Sequence, residues 1–242
     1  ATPGTAAPTA AAGPVRGGRL RVLAGADLSP RIMVNALSPV NVWALGGVFE
    51  TLTRYPLDSL EPKPVLAQSW KFAPDFTRLT LTLRDGVTFH GGRPFTSADV
   101  KWNVERIQDP KSGSQLLNFG KWIKQVETPD PRTVTLVFDQ ARPSIFDMIE
   151  NLFIADRESY DALRAGKSFV GTGPFTLKSW TPGDGYVLAR NATYWQKDLP
   201  YLDEVHQVFG LHCDPSLDVG RLGLREGPLT GAADSLFVRL GG

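Results

Sequence analysis

The sequence predicts an α/β protein, and two patterns lead to that class. Over residues 79–83 leucines alternate with threonines, which is typical of a strand with one buried and one solvated face. The same period of two recurs over residues 134–138 and predicts a second strand, paired with the first in one small sheet. Between these strands the apolar residues change to helical spacing. The alternation of strands and helices therefore favours a mixed fold.

The predicted helix follows Thr96, whose hydroxyl suits an N-cap position. Asp99 stands three residues later and completes a T-x-x-D pattern similar to a capping box. Val100, Val104 and Ile107 fall on one helical face, so we expect that face to be buried.

A tight turn is predicted at Asp85-Gly86, because Gly tolerates the positive φ that such turns need. Val87 and Phe89 would then form a return strand beside residues 79–83.

The other expected elements follow from similar periodicities and turn signals. They are a strand at 20–23, a helix from Val42 with either close packing or a bend at Gly46-Gly47, a helix at 115–126, short helices at 143–149 and 156–165, a hairpin of 175–180 with 186–190, and a strand at 202–209 beside 20–23.

Charge and hydropathy exclude several classes of partner. The net charge is +1 and Lys and Arg form no run, so no nucleic-acid partner is expected. No apolar stretch approaches the ~20 residues that span a bilayer, so no direct membrane insertion is expected. The single cysteine, Cys213, excludes an internal disulfide framework.

Residues for catalysis or metal binding are few. The chain has three histidines and no G-x-S-x-G motif. His90 is interpreted as structural, with its ring hydrogen-bonded to a neighbouring loop. His206, His212 and Cys213 match no standard zinc spacing. Residues 171–173 (Gly-Thr-Gly) precede a strand instead of a helix, so they predict a tight turn and no phosphate loop. No catalytic residue, metal or cofactor is predicted.

Four ordered motifs carry a family resemblance. LRDGVTFHGGRPFTSADV (residues 83–100), followed by a helix with Trp102 and Arg106, resembles the signature of family 5 extracellular solute-binding proteins. The flanking segments are also similar to motifs of that family: GGVFETLTRY (46–55), PVLAQSWKF (64–72), and GTGPFTLKSWTPGDGYVLARNATYW (171–195) with PYLDEV (200–205).

The resemblance implies a lobe of the type II periplasmic-binding fold: a mixed sheet with flanking helices and an inserted α+β subdomain, with the second lobe absent or incomplete. On this interpretation residues 1–17 are a flexible leader, residues 18–54 and 166–242 form a discontinuous first-lobe core, and residues 55–165 form the subdomain. The tail departs from the family pattern, because Thr230 stands where an acidic residue is expected and family members continue far beyond Gly242.

The implied function is capture of a solute for an ABC importer. The partners would be a peptide, or a nickel chelate, opine or sugar, and a membrane permease. The location would be the periplasm, or the cell surface by a tether. The alternative is a truncated, non-binding structural or interaction module, and an enzyme is the third choice.

The resemblance also suggests a candidate ligand site near the loop after the first strand. Its aromatic residues are open between a cleft role and core packing, whereas Trp70, Trp180 and Trp195 are expected in the core. The candidate ligand-binding residues are Asn41, Trp43, Asn118, Phe119, Trp122 and Asn151.

Overall fold

The computed structural model describes residues 15–24, 27–28, 34–35 and 39–209, with the backbone alone for Ala24, Pro39, Val40, Trp43 and Phe209. The sequence predictions for most of the leader, for His212 and Cys213 and for the tail lie outside the described residues.

A four-stranded mixed sheet, here called the lobe sheet, joins the two ends of the described chain. Its strands are β1 (Arg19–Ala24), β8 (Phe175–Thr181), β9 (Gly185–Arg190) and β10 (Glu204–Phe209). The order is β1-β10-β9-β8, with β1 parallel to β10 and the other pairs antiparallel. The predicted hairpin and the pairing of the last strand with the first are both confirmed.

Helix α1 (Pro39–Val48) packs on the lobe sheet. A Cβ at Gly47 would lie 2.8 Å from Leu188 Cδ1, which confirms the predicted close packing at the glycine pair. The helix ends at Val48, so Phe49 and Leu52 are buried outside it.

The strands of a second sheet, here called the subdomain sheet, come between β1 and β8 in the sequence. A short ribbon of β2 (Thr53–Arg54) and β3 (Lys63–Pro64) precedes it. Its strands are β4 (Ala67–Phe72), β5 (Arg78–Leu83), β6 (Ile123–Asp130) and β7 (Thr133–Phe138), all antiparallel in the order β4-β5-β7-β6. Leu79, Leu81 and Leu83 are at most 1 % exposed, so the predicted buried face and the pairing of β5 with β7 are confirmed.

The predicted return strand at Val87 and Phe89 is wrong. Gly86 has the expected positive φ of 71°, but β5 already pairs with β4 on one side and β7 on the other. With both edges occupied, the chain leaves the sheet. Thr88 instead forms an isolated antiparallel bridge with Pro94.

Helix α2 (Ser97–Gln108) begins where the sequence predicts. The carboxylate of Asp99 accepts hydrogen bonds from the backbone N–H of Thr96 (3.0 Å) and from its hydroxyl (3.1 Å). Val100, Val104 and Ile107 are at most 1 % exposed, which confirms the buried face.

The helix predicted over residues 115–126 is wrong in extent. A four-residue helix, α3 (Leu117–Gly120), is followed at once by β6. Ile123 and Val126 pair with Phe138 and Leu136, so the free edge of β7 recruits this segment as a strand. Tertiary pairing overrides the local helical spacing here.

Two further short helices complete the described chain. Helix α4 (Phe146–Ile149) continues a 3₁₀ turn at Pro143–Ile145, as predicted for residues 143–149. Helix α5 (Tyr160–Arg164) is shorter than predicted, and Gly166 follows with a φ of 69°.

Apolar side chains form two cores. One lies under the subdomain sheet and includes Leu81, Val104 and Ile149. The other lies between the lobe sheet and α1, and it also receives Leu163 of α5 and Trp102 of α2. Trp70 and Trp195 pack against the first core and Trp180 against the second, as expected.

Candidate functional site

Two predicted site residues lie on α1 in the lobe core. Asn41 is buried in the first turn, with 1 % of its surface exposed. Trp43 stands one half-turn further along the helix, and only its backbone is described. The Asn41 side chain is therefore shielded from solvent in this structure.

Three other predicted residues come together at α3 and the start of β6. The rings of Phe119 and Trp122 meet at 4.8 Å between centroids, at an angle of 68°. The guanidinium of Arg142 lies 4.3 Å from the centre of the Trp122 ring and is paired with Asp139 at 2.9 Å. Asn118 is exposed beside this pair. The group forms a half-exposed aromatic platform with an amide at its edge, which suits stacking and hydrogen bonding to a small solute.

Asn151 lies apart from this platform in the chain, after α4. Its side-chain amide donates to the backbone carbonyl of Asp147 at 2.8 Å. That contact closes the last turn of α4, so the amide already has a structural partner.

A polar cluster around Asn35, which the sequence analysis did not single out, lies where the segment after β1 meets the subdomain. The amide nitrogen of Asn35 donates to Ser112 O (2.9 Å) and to the Tyr160 hydroxyl (3.1 Å). Its amide oxygen accepts from Arg106, and its backbone carbonyl accepts from the Gln115 N–H at 3.0 Å. Asn35 is therefore held from α2, from the loop after α2 and from α5.

Arg106 is the charged centre of this cluster. Burial lowers the pKa of its guanidinium, although arginine remains charged at any physiological pH. The rings of Trp102 and Tyr160 lie 5.9 and 5.5 Å from the charge. Within the described ranges, Arg106 Nε has no hydrogen-bond partner. The cation is stabilised by aromatic faces and amides, which is an unusual environment for a buried charge.

A signal for this cluster was present in the sequence. Asn103 and Arg106 are three residues apart on α2, on the same side as the apolar face that includes Val104 and Ile107. Polar residues on a predicted buried face must have partners, so they mark a site that the periodicity of the helix alone does not explain.

An ion-pair network adjoins the start of α2. Arg93 pairs with Asp99 at 2.8 Å and with Asp156, and it donates from Nε to Asp156 at 3.0 Å. Burial by itself raises the pKa of Asp156, but hydrogen bonds from Arg93 and Ser159 outweigh it, and the pKa is lowered overall. The Asp156 carboxylate is therefore ionised at neutral pH, and the pairs of Arg93 with Asp99 and Asp156 bind the start of α2 to the segment before α5.

The described part of the chain lacks two other kinds of site. None of its helices has the length and apolarity to cross a bilayer. Its His, Asp and Glu side chains form no cluster of three or more that is arranged to hold a metal.

Comparison with solved structures defines the class of protein. A periplasmic binding protein of Agrobacterium tumefaciens R10, AgaA in complex with agropinic acid, superposes with a TM-score of 0.72 at 30 % identity, over 79 % of this chain and 40 % of that one. DppA of Helicobacter pylori, bound to the peptide STSA, gives 0.71 at 26 % identity, over 81 % and 43 %. The fold is that of the type II periplasmic binding proteins.

Sequence comparison then identifies the family. The model for the middle region of the bacterial extracellular solute-binding proteins, family 5, matches residues 61–212. The chain belongs to this family, which confirms the resemblance noted in its motifs.

Two curated relatives illustrate the range of the family. The dipeptide-binding protein DppE of Bacillus subtilis is 28 % identical over 182 residues, which are 66 % of this chain and 33 % of DppE. The glutathione-binding protein GsiB of Escherichia coli K12 is 33 % identical over 147 residues, or 59 % and 29 %. The chain thus spans about a third of the length of these relatives.

Proposed function

We propose that this protein is a substrate-binding component of an ABC importer. It would capture a peptide or a related small solute outside the cytoplasm and deliver it to a membrane permease. Membership of the solute-binding family is the observation that carries the proposal. The periplasm, or the outer cell surface by a tether, is the corresponding location.

The ligand chemistry is suggested by the relatives. DppE and GsiB are named for a dipeptide and for glutathione, and the two solved complexes hold a tetrapeptide and agropinic acid. These solutes are small, polar and carry carboxylates. Peptides are therefore the class we favour for this chain, with opine-like acids next; nickel chelates and sugars are further candidates.

Binding of a solute without catalysis agrees with the ionisable residues of the described chain. The relatives named above are binding proteins, and the ionisable clusters described here are closed ion pairs and buried hydrogen-bond networks. A receptor of this class binds its solute between two lobes and signals by closing around it. We assign the aromatic platform of Phe119 and Trp122, with Asn118, to the ligand-facing surface of the subdomain.

Native mass spectrometry of the protein purified from its host is the direct test. We expect a complex whose excess mass corresponds to a small peptide or acid and disappears on denaturation. Trp122→Ala should reduce the fraction of complex, whereas Trp180→Phe, in the lobe core, should leave it unchanged. A parent protein that always appears without added mass would contradict the proposal.

The alternative function is that of a structural or interaction module that does not bind a solute. Absence of bound solute in the native spectrum, together with a concentration-dependent dimer, would favour this alternative.

A further inference from the structure

The chain passes between the lobe core and the subdomain at two adjacent segments, residues 49–53 and 169–174. The second of these, residues 169–174, is here called the return segment. It lies directly on the end of α1, where the Gly173 N–H donates to Val48 O at 3.0 Å. A Cβ at Gly171 would stand 1.9 Å from Val48 O, and one at Gly173 would stand 2.8 Å from the same atom. Only glycine permits this backbone contact. The return segment is therefore a close joint between the two cores.

His90, in the subdomain, holds this joint with its backbone and its ring. Its N–H donates to Gly171 O at 2.9 Å. The ring nitrogen Nε2 lies 3.0 Å from Gly173 O, and the Gly171 N–H lies 3.3 Å from Nδ1. A carbonyl accepts and an N–H donates, so the ring is neutral with its proton on Nε2. The hydrogen bond to a neighbouring loop predicted for His90 is thus confirmed.

Glu50 lies in the outgoing segment, residues 49–53, and stabilises the same joint through Thr172. Glu50 is only 7 % exposed, and its carboxylate accepts three hydrogen bonds. The Thr172 hydroxyl donates at 2.8 Å, the Tyr194 hydroxyl at 2.7 Å and Trp195 Nε1 at 2.9 Å. Tyr194 and Trp195 follow β9, so Glu50 joins the outgoing chain, the return chain and the end of the lobe hairpin.

We propose that His90 and Glu50 are positioning residues that clamp residues 171–173 and set the orientation of the subdomain on the lobe core, and that acid opens the His90 side of the clamp. The orientation matters for a binding protein because candidate ligand residues lie on both sides of the joint, Asn41 on α1 and Phe119 and Trp122 in the subdomain.

Protonation of the His90 ring would place an N–H on Nδ1 against the N–H of Gly171. Two donors would then face each other, and the contact at 3.3 Å would be lost. Burial lowers the pKa of His90, and backbone hydrogen bonds with Gly173 and Phe169 only partly oppose this shift. The stabilisation is therefore complete above the ordinary pKa of about 6.5 and is lost as the pH falls below it.

The charged groups around the joint do not reverse this expectation. Arg93, three residues from His90, is occupied by Asp99 and Asp156. Burial raises the pKa of Glu50, which hydrogen bonds and the charge of Arg54 partly oppose. A raised carboxyl pKa favours folding as the pH falls, so Glu50 acts in the opposite sense and any acid loss at the joint comes from His90.

Thermal melting between pH 5 and pH 8 tests the acid-sensitive half of the proposal. We expect the melting temperature of the parent to fall by about 2–4 °C between pH 7 and pH 5.5, a typical response to the loss of one buried contact. His90→Gln should flatten this part of the profile. His206→Gln is the matched control, because His206 contacts Glu204 on the lobe sheet, away from the joint. If His90→Gln keeps the parental slope, acid release at His90 is wrong.

Distances between spin labels test the positioning itself. Labels at Lys124→Cys in the subdomain and Ser179→Cys in the lobe sheet, both exposed positions, are placed in a Cys213→Ser background. We expect one narrow distance distribution at pH 7.5 and a broader one at pH 5.5. Thr172→Val, which removes a single donor, and Glu50→Gln should each broaden it at pH 7.5, whereas Arg78→Ala at the sheet surface should not.

An unchanged distribution in both clamp variants, with folding verified by circular dichroism, would overturn the positioning role. Neither measurement requires a ligand, so the result is independent of whether the proposed solute capture is correct.

Discussion

Gly171→Ala is the most direct perturbation of the joint between the two cores. The new Cβ would lie 1.9 Å from Val48 O, 2.7 Å from Val48 C and 3.0 Å from the Cα of Phe49. All three are backbone atoms at the end of α1, and no side-chain rotation can relieve the overlap. The return segment must therefore move away from α1 by more than about 1 Å to reach an ordinary contact distance.

The expected cost follows from the contacts that such a movement breaks. Overpacking a close contact costs about 1–3 kcal/mol. The Gly173 N–H to Val48 O bond at 3.0 Å and the ring contact of His90 with Gly173 O at 3.0 Å would both stretch beyond hydrogen-bond range. Each lost hydrogen bond adds about 1 kcal/mol. The total is about 3–5 kcal/mol, or a fall in melting temperature of about 6–20 °C for a chain of this size.

Circular dichroism melts at pH 7.5 measure the effect, and Gly91→Ala supplies the control. Gly91 has open space where its Cβ would stand, so that variant should melt within about 1–2 °C of the parent. Hydrogen exchange adds a local readout, because the His90 amide is bonded to Gly171 O and should lose protection in Gly171→Ala alone.

Equal melting temperatures for Gly171→Ala and Gly91→Ala would refute the reasoning. They would mean that residues 171–173 do not lie on the end of α1 in solution.

Three other predictions address the subdomain and the ligand site. Arg93→Ala leaves the buried carboxylates of Asp99 and Asp156 short of their main partner, so we expect a loss of about 2–4 kcal/mol in urea unfolding, whereas Arg78→Ala, which breaks an exposed pair with Glu127, should cost less than about 1 kcal/mol; similar losses would contradict the assigned burial. Gly86→Val places a β-branched residue at a φ of 71° and should cost about 1–3 kcal/mol, compared with a small effect of Gly91→Val in open space; parental melting of Gly86→Val would show that the turn is not left-handed. Calorimetry of the 242-residue chain with a mixture of di- to pentapeptides should show binding in the micromolar range, roughly 8 kcal/mol, which Trp122→Ala weakens; absence of binding heat at these concentrations would contradict solute capture.

Local patterns in the sequence correctly predicted those helices and strands whose type does not depend on a distant pairing partner. The alternation over residues 79–83 persists in β5, and the T-x-x-D pattern with its apolar face persists in α2, because both depend on contacts within a few residues. The segment at 115–126 shows the limit of this reasoning. Its apolar spacing suits a helix, but an unpaired edge of β7 lies beside it, and the last four residues of the segment join the sheet as the start of β6.

The spatial arrangement of the candidate ligand residues was predictable only in part. Asn118, Phe119 and Trp122 are close together because they are near one another in the chain. Asn41 and Asn151 are amides of the same kind in the sequence, yet one is buried in α1 and the other bonds to its own helix. Whether an amide faces solvent, the protein core or its own helix depends on the segments that pack against it. Spacing along the chain does not specify those segments.

By itself, then, the sequence determined the class of fold, the start of α2, some strand pairs of each sheet and the family, since periodicity, turn chemistry and ordered motifs are properties of short segments. Tertiary structure alone decided which polar groups are buried together. Glu50 meets Thr172 across 122 residues, and His90 meets Gly173 across 83. Such contacts form only when distant segments pack, and the burial that removes these groups from water also makes their hydrogen bonds obligatory.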